Sequence, residues 1–186
     1  MTLLDSWLPV YQFSERHQLT VNASDAVLWD ALKHVTPDEI GVLGLLMTVR
    51  SLPARLAGKK ARLFIKGTPM LQAAVDSRFV LLEESAPREI VLGMAGQFWK
   101  LDFGPRVNVR SASDFAAFAQ PGFLRVAFNF SIDNGVISTE TRIQALDESA
   151  RRKFSIYWTL VRLGSGWIRI SWLRAVRRRA LQQQTK

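Results

Sequence analysis

The sequence contains no cysteine, which excludes a disulfide framework and a thiolate for nucleophilic or zinc chemistry. Its only two histidines, His17 and His34, lack the spacing of a metal-ligating pair, so we expect no metal and no cofactor. The longest apolar run, residues 40–49, is about half of a membrane span. The first residues have no basic start followed by an apolar stretch, so they do not indicate a secretory signal. These absences predict a cytoplasmic protein.

Acidic residues are missing from one part of the chain. Residues 151–186 contain ten Lys and Arg and no Asp or Glu, whereas the first 150 residues contain 15 bases and 16 acids. The positive charge is therefore concentrated in the C-terminal segment. This argues against a basic groove spread over the fold, and specific nucleic-acid binding is not expected.

Hydrophobic periodicity predicts one α+β domain over residues 1–186. Residues 11–21 alternate as a half-buried strand with Glu15 and His17 on its apolar face. Two helices should follow, one capped by Ser24 and one starting at the capping box Thr36-Pro37-Asp38-Glu39 and running toward residue 53. Further strands are predicted at residues 79–84, 89–95, 97–103, 123–132 and 136–146, with short helical turns near residues 68–77 and 113–119.

The last part of the chain has the pattern of an amphipathic helix from Ala150 to Val161. Gly164-Ser165-Gly166 predicts a break in this helix, followed by a basic helical extension from about residue 167.

This order of elements is accompanied by four characteristic stretches, YQFSERHQLTVNAS, LLEESAPREIVLGMAGQFW, TETRIQALDESARRKFSIYW and GSGWIRISWLRAVRRRA. Over nearly its whole length the chain resembles the START-like helix-grip superfamily, also called SRPBCC, and within it an uncharacterised bacterial subfamily. The superfamily includes polyketide cyclases, lipid-transfer domains and ligand-binding pollen allergens. The resemblance implies a curved antiparallel sheet wrapped around the long C-terminal helix, with a cavity between them for an apolar or amphipathic small molecule. It implies no catalytic residues, because members of the superfamily share none.

The register of the last hairpin decides where Glu140 and Arg142 point. A two-residue turn at Asn134-Gly135 places Phe128 opposite Thr141, which puts both charged side chains on the outer, solvent-facing side of the sheet. A three-residue loop or a bulge reverses the faces, because side chains alternate along a strand. The second register would assemble an internal polar cluster of Glu15, His17, Glu140 and Arg142 that could anchor a ligand.

Aromatic side chains are the other cavity candidates. They are Trp99, Phe128, Phe130, Tyr157 and Trp158. Ordinary core packing explains the same pattern, and sequence does not separate core from cavity wall. Binding or transport of a hydrophobic small molecule is the preferred function. The alternative is a cavity enzyme of the cyclase or hydratase type, in which Glu15, His17 or Tyr157 would transfer a proton.

The basic C-terminal segment supports a third hypothesis, peripheral attachment to an anionic membrane surface. Its candidate contacts are Trp167, Trp172, Arg174, Arg177 and Arg178. The simpler interpretation is a helix that packs its apolar stripe on the domain and leaves its arginines in water.

Overall fold

The computed structural model describes residues 1–41, 67–100, 104–105 and 107–184. Within them the strands are β1 (Phe13–Thr20), β2 (Val80–Ser85), β3 (Glu89–Gly96), β4 (Leu124–Asp133) and β5 (Val136–Ala145). The helices are α1 (Leu3–Trp7), α2 (Asp25–His34), α3 (Met70–Ser77), α4 (Ala112–Ala117) and α5 (Glu148–Gln184). In this part of the chain, five antiparallel strands in the order β1-β5-β4-β3-β2 form an open sheet that packs against α5. The predicted α+β, helix-grip-like fold is confirmed, with the first strand beside the last.

Capping residues set the starts of the short helices. Ser24 accepts a hydrogen bond from the backbone N–H of Val27, as predicted, and α2 follows. Thr36 and Glu39 form the predicted capping box at a 3-10 turn, Pro37–Glu39. This turn ends at Ile40, and residues 42–53 of the second predicted helix lie outside the described residues.

The β4–β5 turn has two residues, Asn134 (φ 51°) and Gly135 (φ 75°), both in the left-handed region that such turns require. Phe128 therefore pairs with Thr141, and Asn129 with Glu140. The first of the two predicted registers is the one observed. Glu140 and Arg142 lie on the face of the sheet that points away from α5.

The inner face of the sheet carries the main hydrophobic core. It contains Leu92, Phe128, Phe130 and Ile137 from the strands, Leu28 and Leu32 from α2, and Trp172, Leu173 and Val176 from α5. The Phe130 and Trp172 rings are 4.6 Å apart at their centroids. The contacts of Trp172 and Val176 show that residues after 167 belong to the core, so the segment is not a separate extension.

The predicted break at Gly164-Ser165-Gly166 is wrong, because α5 runs without interruption over 37 residues. Glycine costs a helix about 1 kcal/mol relative to alanine, which tertiary packing can outweigh. Gly166 is buried where the helix crosses Glu15 and His17 of β1. A small residue is needed at that crossing, and this explains its place inside a helix.

The strand predicted at residues 97–103 is not observed over residues 97–100, the portion that the structure describes. β3 ends at Gly96, which pairs with Leu124 at the start of β4, so no strand continues alongside it. The chain turns instead, with the N–H of Lys100 donating to the carbonyl of Gln97. Residues 101–103 lie outside the described part.

The outer face of the sheet is covered, which the sequence did not predict. Leu4 and Leu8 of the α1 region and Phe115 of α4 pack on Val91 and Ala127 of the sheet. The buried carboxylate of Glu89 accepts hydrogen bonds from the backbone N–H groups of Leu3 (2.8 Å) and Leu4 (3.3 Å). These bonds satisfy free donors at the start of α1 and hold it on the sheet.

Candidate functional site

A polar cluster lies on the inner face of the sheet, where apolar side chains would be expected. β1 alternates in burial, with Glu15 and His17 on its buried side as the sequence predicted. Thr141 and Thr139 stand opposite them on β5. His17 Nε2 lies 3.2 Å from Glu15 Oε1, but its direction does not fit a hydrogen bond.

Gly166 covers this cluster from the helix side. A Cβ atom at residue 166 would lie 2.5 Å from Glu15 Oε1 and 3.1 Å from His17 Nε2. Both distances are shorter than an ordinary carbon contact of about 3.5 Å. The glycine therefore allows the carboxylate and the imidazole to reach the backbone of α5.

Arg169 brings a cation to the same interface. Its guanidinium carbon lies 3.9 Å above the centre of the Phe128 ring and 6.0 Å from that of Trp172. The residue as a whole is half-buried, but Nη1 is shielded from solvent. Burial lowers the pKa of Arg169 to about 10, and the negative charge of Glu15 acts in the opposite direction.

Four buried polar atoms at this interface have no hydrogen-bond partner in the described structure. They are Glu15 Oε2, His17 Nε2, Arg169 Nη1 and Trp172 Nε1. Leaving a buried donor or acceptor unpaired costs about 1–3 kcal/mol. In folded proteins such atoms are usually satisfied by an ordered water, an ion or a ligand. We call Glu15, His17, Arg169 and Trp172 the inner polar cluster.

The inner polar cluster differs from the one considered in the sequence. Glu15 and His17 belong to it, but the cation is Arg169 rather than Arg142, because the hairpin register sends Glu140 and Arg142 to the other face. The spacing of Gly166 and Arg169 could have indicated this, because residues one helical turn apart lie on the same side of a helix. The predicted helix break at 164–166 prevented that inference.

Glu140 and Arg142 nevertheless do not face water, which corrects the other expectation. Arg142 is only 7% exposed, beneath α1. It donates to Glu140 Oε1 (2.6 Å), Asp5 Oδ1 (2.7 Å) and the carbonyl of Leu8 (3.4 Å), and it lies over the Tyr11 ring. Arg142 therefore links α1 and the residues after it to β5 through these hydrogen bonds.

The electrostatics of this outer ion-pair group are consistent with a structural role. Hydrogen bonds from the backbone N–H of Thr2 and from Arg142 lower the pKa of Asp5 to about 2. Burial acts to lower the pKa of Arg142, but its hydrogen bonds to Glu140 and Asp5 together raise it. Both charges are therefore maintained across the ordinary pH range.

The aromatic candidates are divided between two clusters. Phe128 and Phe130 pack with Trp172 beside the inner polar cluster. Trp99, Tyr157 and Trp158 are half-buried at the other end of the inner face, around Phe13 and Phe154. Trp99 contacts this cluster from a turn, not from the predicted strand.

Of the five candidate membrane contacts, one is buried and four are exposed. Trp172 is 3% exposed and lies in the core, so it is not available to a membrane surface. Trp167, Arg174, Arg177 and Arg178 are exposed. Arg178 donates to the carbonyl of Glu39 (2.6 Å), and Arg179 pairs with the Glu39 carboxylate (2.7 Å).

An open groove is found elsewhere, beside the β4–β5 turn, and is lined by residues 21–25, Asn134, Gly135 and Gln184. It shares no residue with the inner polar cluster. In the described ranges there is also no group of three or more His, Asp or Glu side chains that could hold a metal ion.

Comparison of the chain with protein-family models, curated proteins and solved structures finds no match. The resemblance to the START-like superfamily thus remains a prediction, and the candidate site stands on its own geometry.

Proposed function

We propose that this chain binds a hydrophobic or amphipathic small molecule between its sheet and α5, with the polar end of the ligand at the inner polar cluster. Four polar atoms that are unpaired within the described residues lie together between the sheet and α5, beside the buried rings of the core, and this group carries the proposal. The apolar part of the ligand would contact the neighbouring rings of Phe128 and Phe130.

The unpaired atoms indicate the chemistry of the polar end. Arg169 Nη1 and Trp172 Nε1 are donors and need an acceptor, whereas Glu15 Oε2, as a carboxylate oxygen, needs a donor. A hydroxyl group or a protonated carboxylic acid supplies both. A simple anion suits the site less well, because Glu15 already provides the negative charge near Arg169.

The test is native mass spectrometry of the gently purified full chain, which should detect a bound molecule of a few hundred daltons. Arg169→Met should remove most of that bound mass. Arg162→Met is the matched control, since Arg162 is an exposed arginine on the same helix, and it should retain the ligand.

Two energy terms of Arg169→Met oppose each other in the ligand-free protein. Removing the unpaired buried N–H gains about 1–3 kcal/mol, and losing the cation–π contact with Phe128 costs about 1–2 kcal/mol. The free energy of unfolding should therefore change by between about −1 and about +2 kcal/mol, and a loss above about 2 kcal/mol would contradict a ligand-binding role and favour a structural one. So would the absence of any bound mass together with no binding of 8-anilinonaphthalene-1-sulfonate by the folded chain.

A second candidate is a cavity enzyme that uses His17 as a general base or acid. The distance of 3.2 Å between His17 Nε2 and Glu15 Oε1 supports it, because it places an imidazole and a carboxylate, two groups that commonly transfer protons in enzymes, side by side at the interface. Any ligand that co-purifies can be incubated with the protein and followed for a change in mass. His17→Gln should abolish such a change while preserving binding, and an unchanged ligand would contradict the enzymatic candidate.

A further inference from the structure

A line of large apolar side chains stands exposed on α5. Ile156 is 73% exposed, Leu160 76%, Leu163 83% and Trp167 54%. We call these four residues the apolar ridge. Single exposed apolar residues are common on proteins, but a contiguous set of this kind marks an interaction surface.

The spacing of the apolar ridge makes it one continuous surface. Its members are separated by four, three and four residues, so they fall on one side of an uninterrupted helix and extend over about 16 Å. Arg169, two residues after Trp167, points to the opposite side of the helix and into the inner polar cluster. The same helix therefore has a core side and an unpartnered apolar side.

Cations lie at both ends of the apolar ridge. Arg152 and Lys153 are exposed one turn before Ile156. Arg174 and Arg178 follow Trp167 by seven and eleven residues, which continues the same line, and both are exposed. The only acidic residue of α5 is Glu148, at its first position. The ridge is thus an apolar patch on α5 with positive charge at both of its ends.

We infer that the apolar ridge of α5 and its flanking cations dock on the surface of an anionic lipid bilayer. Such a surface offers phosphate groups to the arginines and hydrocarbon to Ile156, Leu160 and Leu163, and the exposed indole of Trp167 suits the boundary between them. None of the described helices is long and apolar enough to cross a bilayer. The helix would therefore lie along the membrane surface.

Charge and chemistry favour this partner over two others. A second copy of the chain would bring two surfaces with the same positive charge together, which opposes association. A nucleic acid would attract the arginines, but it offers little contact to the exposed aliphatic side chains of Leu160 and Leu163. Docking of this kind involves only the exposed side of α5 and does not require a ligand at the inner polar cluster.

The experiment is co-sedimentation of the full chain with vesicles of phosphatidylcholine alone or with about 30% phosphatidylserine, at low salt. We expect binding to the anionic vesicles and much weaker binding to the neutral ones. The double variant Leu160→Gln/Leu163→Gln should weaken binding by at least about tenfold, because it removes the apolar contacts. Arg174→Gln should weaken it about fivefold, which corresponds to the contribution of one cation near the surface.

The matched control is Val75→Gln, which removes an exposed apolar side chain from a different helix, α3, and should leave vesicle binding unchanged. Circular dichroism checks that each variant stays folded. No sedimentation with anionic vesicles at low salt would overturn the inference, as would equal binding to neutral vesicles. Unchanged binding of the double variant would show that the arginines act without the ridge. A dimer in analytical ultracentrifugation that the double variant dissociates would assign the ridge to a second copy instead.

Discussion

The two glycines of α5 provide a matched test of the crossing between the helix and β1. Gly164 has nothing within 4 Å of the place where a Cβ would be, whereas a Cβ on Gly166 would meet Glu15 Oε1 at 2.5 Å. Gly164→Ala should stabilise the protein by about 1 kcal/mol, because alanine is the better helix former.

Gly166→Ala gains the same helix propensity but must displace Glu15. An ordinary contact of about 3.5 Å requires the carboxylate to withdraw by about 1 Å. The carboxylate is confined between β1 and α5, and overpacking of this kind costs about 1–3 kcal/mol. The net result should be a change between no effect and about 2 kcal/mol of destabilisation. The two alanine variants should therefore differ by at least about 1 kcal/mol.

Denaturant unfolding followed by circular dichroism measures this difference as a shift in midpoint at constant slope. A double-mutant cycle with Glu15→Ala identifies the cause. In that background Gly166→Ala should recover most of the stabilisation seen at Gly164, giving a coupling energy of about 1 kcal/mol or more. If both glycines respond alike in the wild-type background, Glu15 does not lie against the helix and the description of the site is wrong.

Three further predictions concern the outer face of the sheet. Arg142→Ala should lower the free energy of unfolding by about 2–4 kcal/mol, because it leaves the partly buried Glu140 without its cation and removes the ion pair that holds α1. A loss below about 1 kcal/mol in urea unfolding would indicate a solvated surface pair instead. The pKa of Asp5 is lowered from 3.8 to about 2, so the stability that it contributes is fully present above about pH 4 and is lost as the pH falls toward 2. Since Asp5 is about a third exposed, we expect roughly 1 kcal/mol for this component, and Asp5→Asn should remove it from an acid titration of stability. Gly93→Ala should destabilise by about 1–3 kcal/mol, because its Cβ would lie 2.7 Å from Leu82 and 2.9 Å from Phe115, and an unchanged midpoint would refute that packing.

The fold was largely predictable because local signals agreed with one another. Asn134-Gly135 specifies a two-residue turn, and that turn fixed the pairing of β4 with β5. Ser24 and the Thr36 capping box marked the starts of their elements for equally local reasons. Signals of this kind act within a few residues and can be read without knowledge of tertiary contacts.

The features that sequence missed depend on contacts between distant residues. α1 has five residues, too few for a periodic pattern, and it is held by Glu89 and Arg142 from far along the chain. Its presence turns a strand face that is normally solvated into a buried one. The outer position of Arg142 was one of the two alternatives, but its burial followed only from this cover.

Two of the four members of the inner polar cluster, Glu15 and His17, were predicted from the sequence as ligand-binding residues. Alternation along β1 placed Glu15 and His17 on the inner face, because the period of a strand is two. Arg169 was missed because glycine normally indicates a helix break. Gly166 occurs within α5 because a Cβ atom at this position would lie too close to Glu15. A local propensity was overridden by packing across the sheet–helix interface.

The attachment of α1 has a consequence for the order of events during synthesis. Asp5 and Arg142 are separated by 137 positions in the chain. A ribosome therefore releases α1 long before β5 exists, and Leu4 and Leu8 must remain without their docking surface during translation of most of the chain. Contacts of such long range also slow folding. The apolar side chains of α1 are thus exposed until the strands that cover them have been made, which makes this segment a target for chaperones that act on nascent chains.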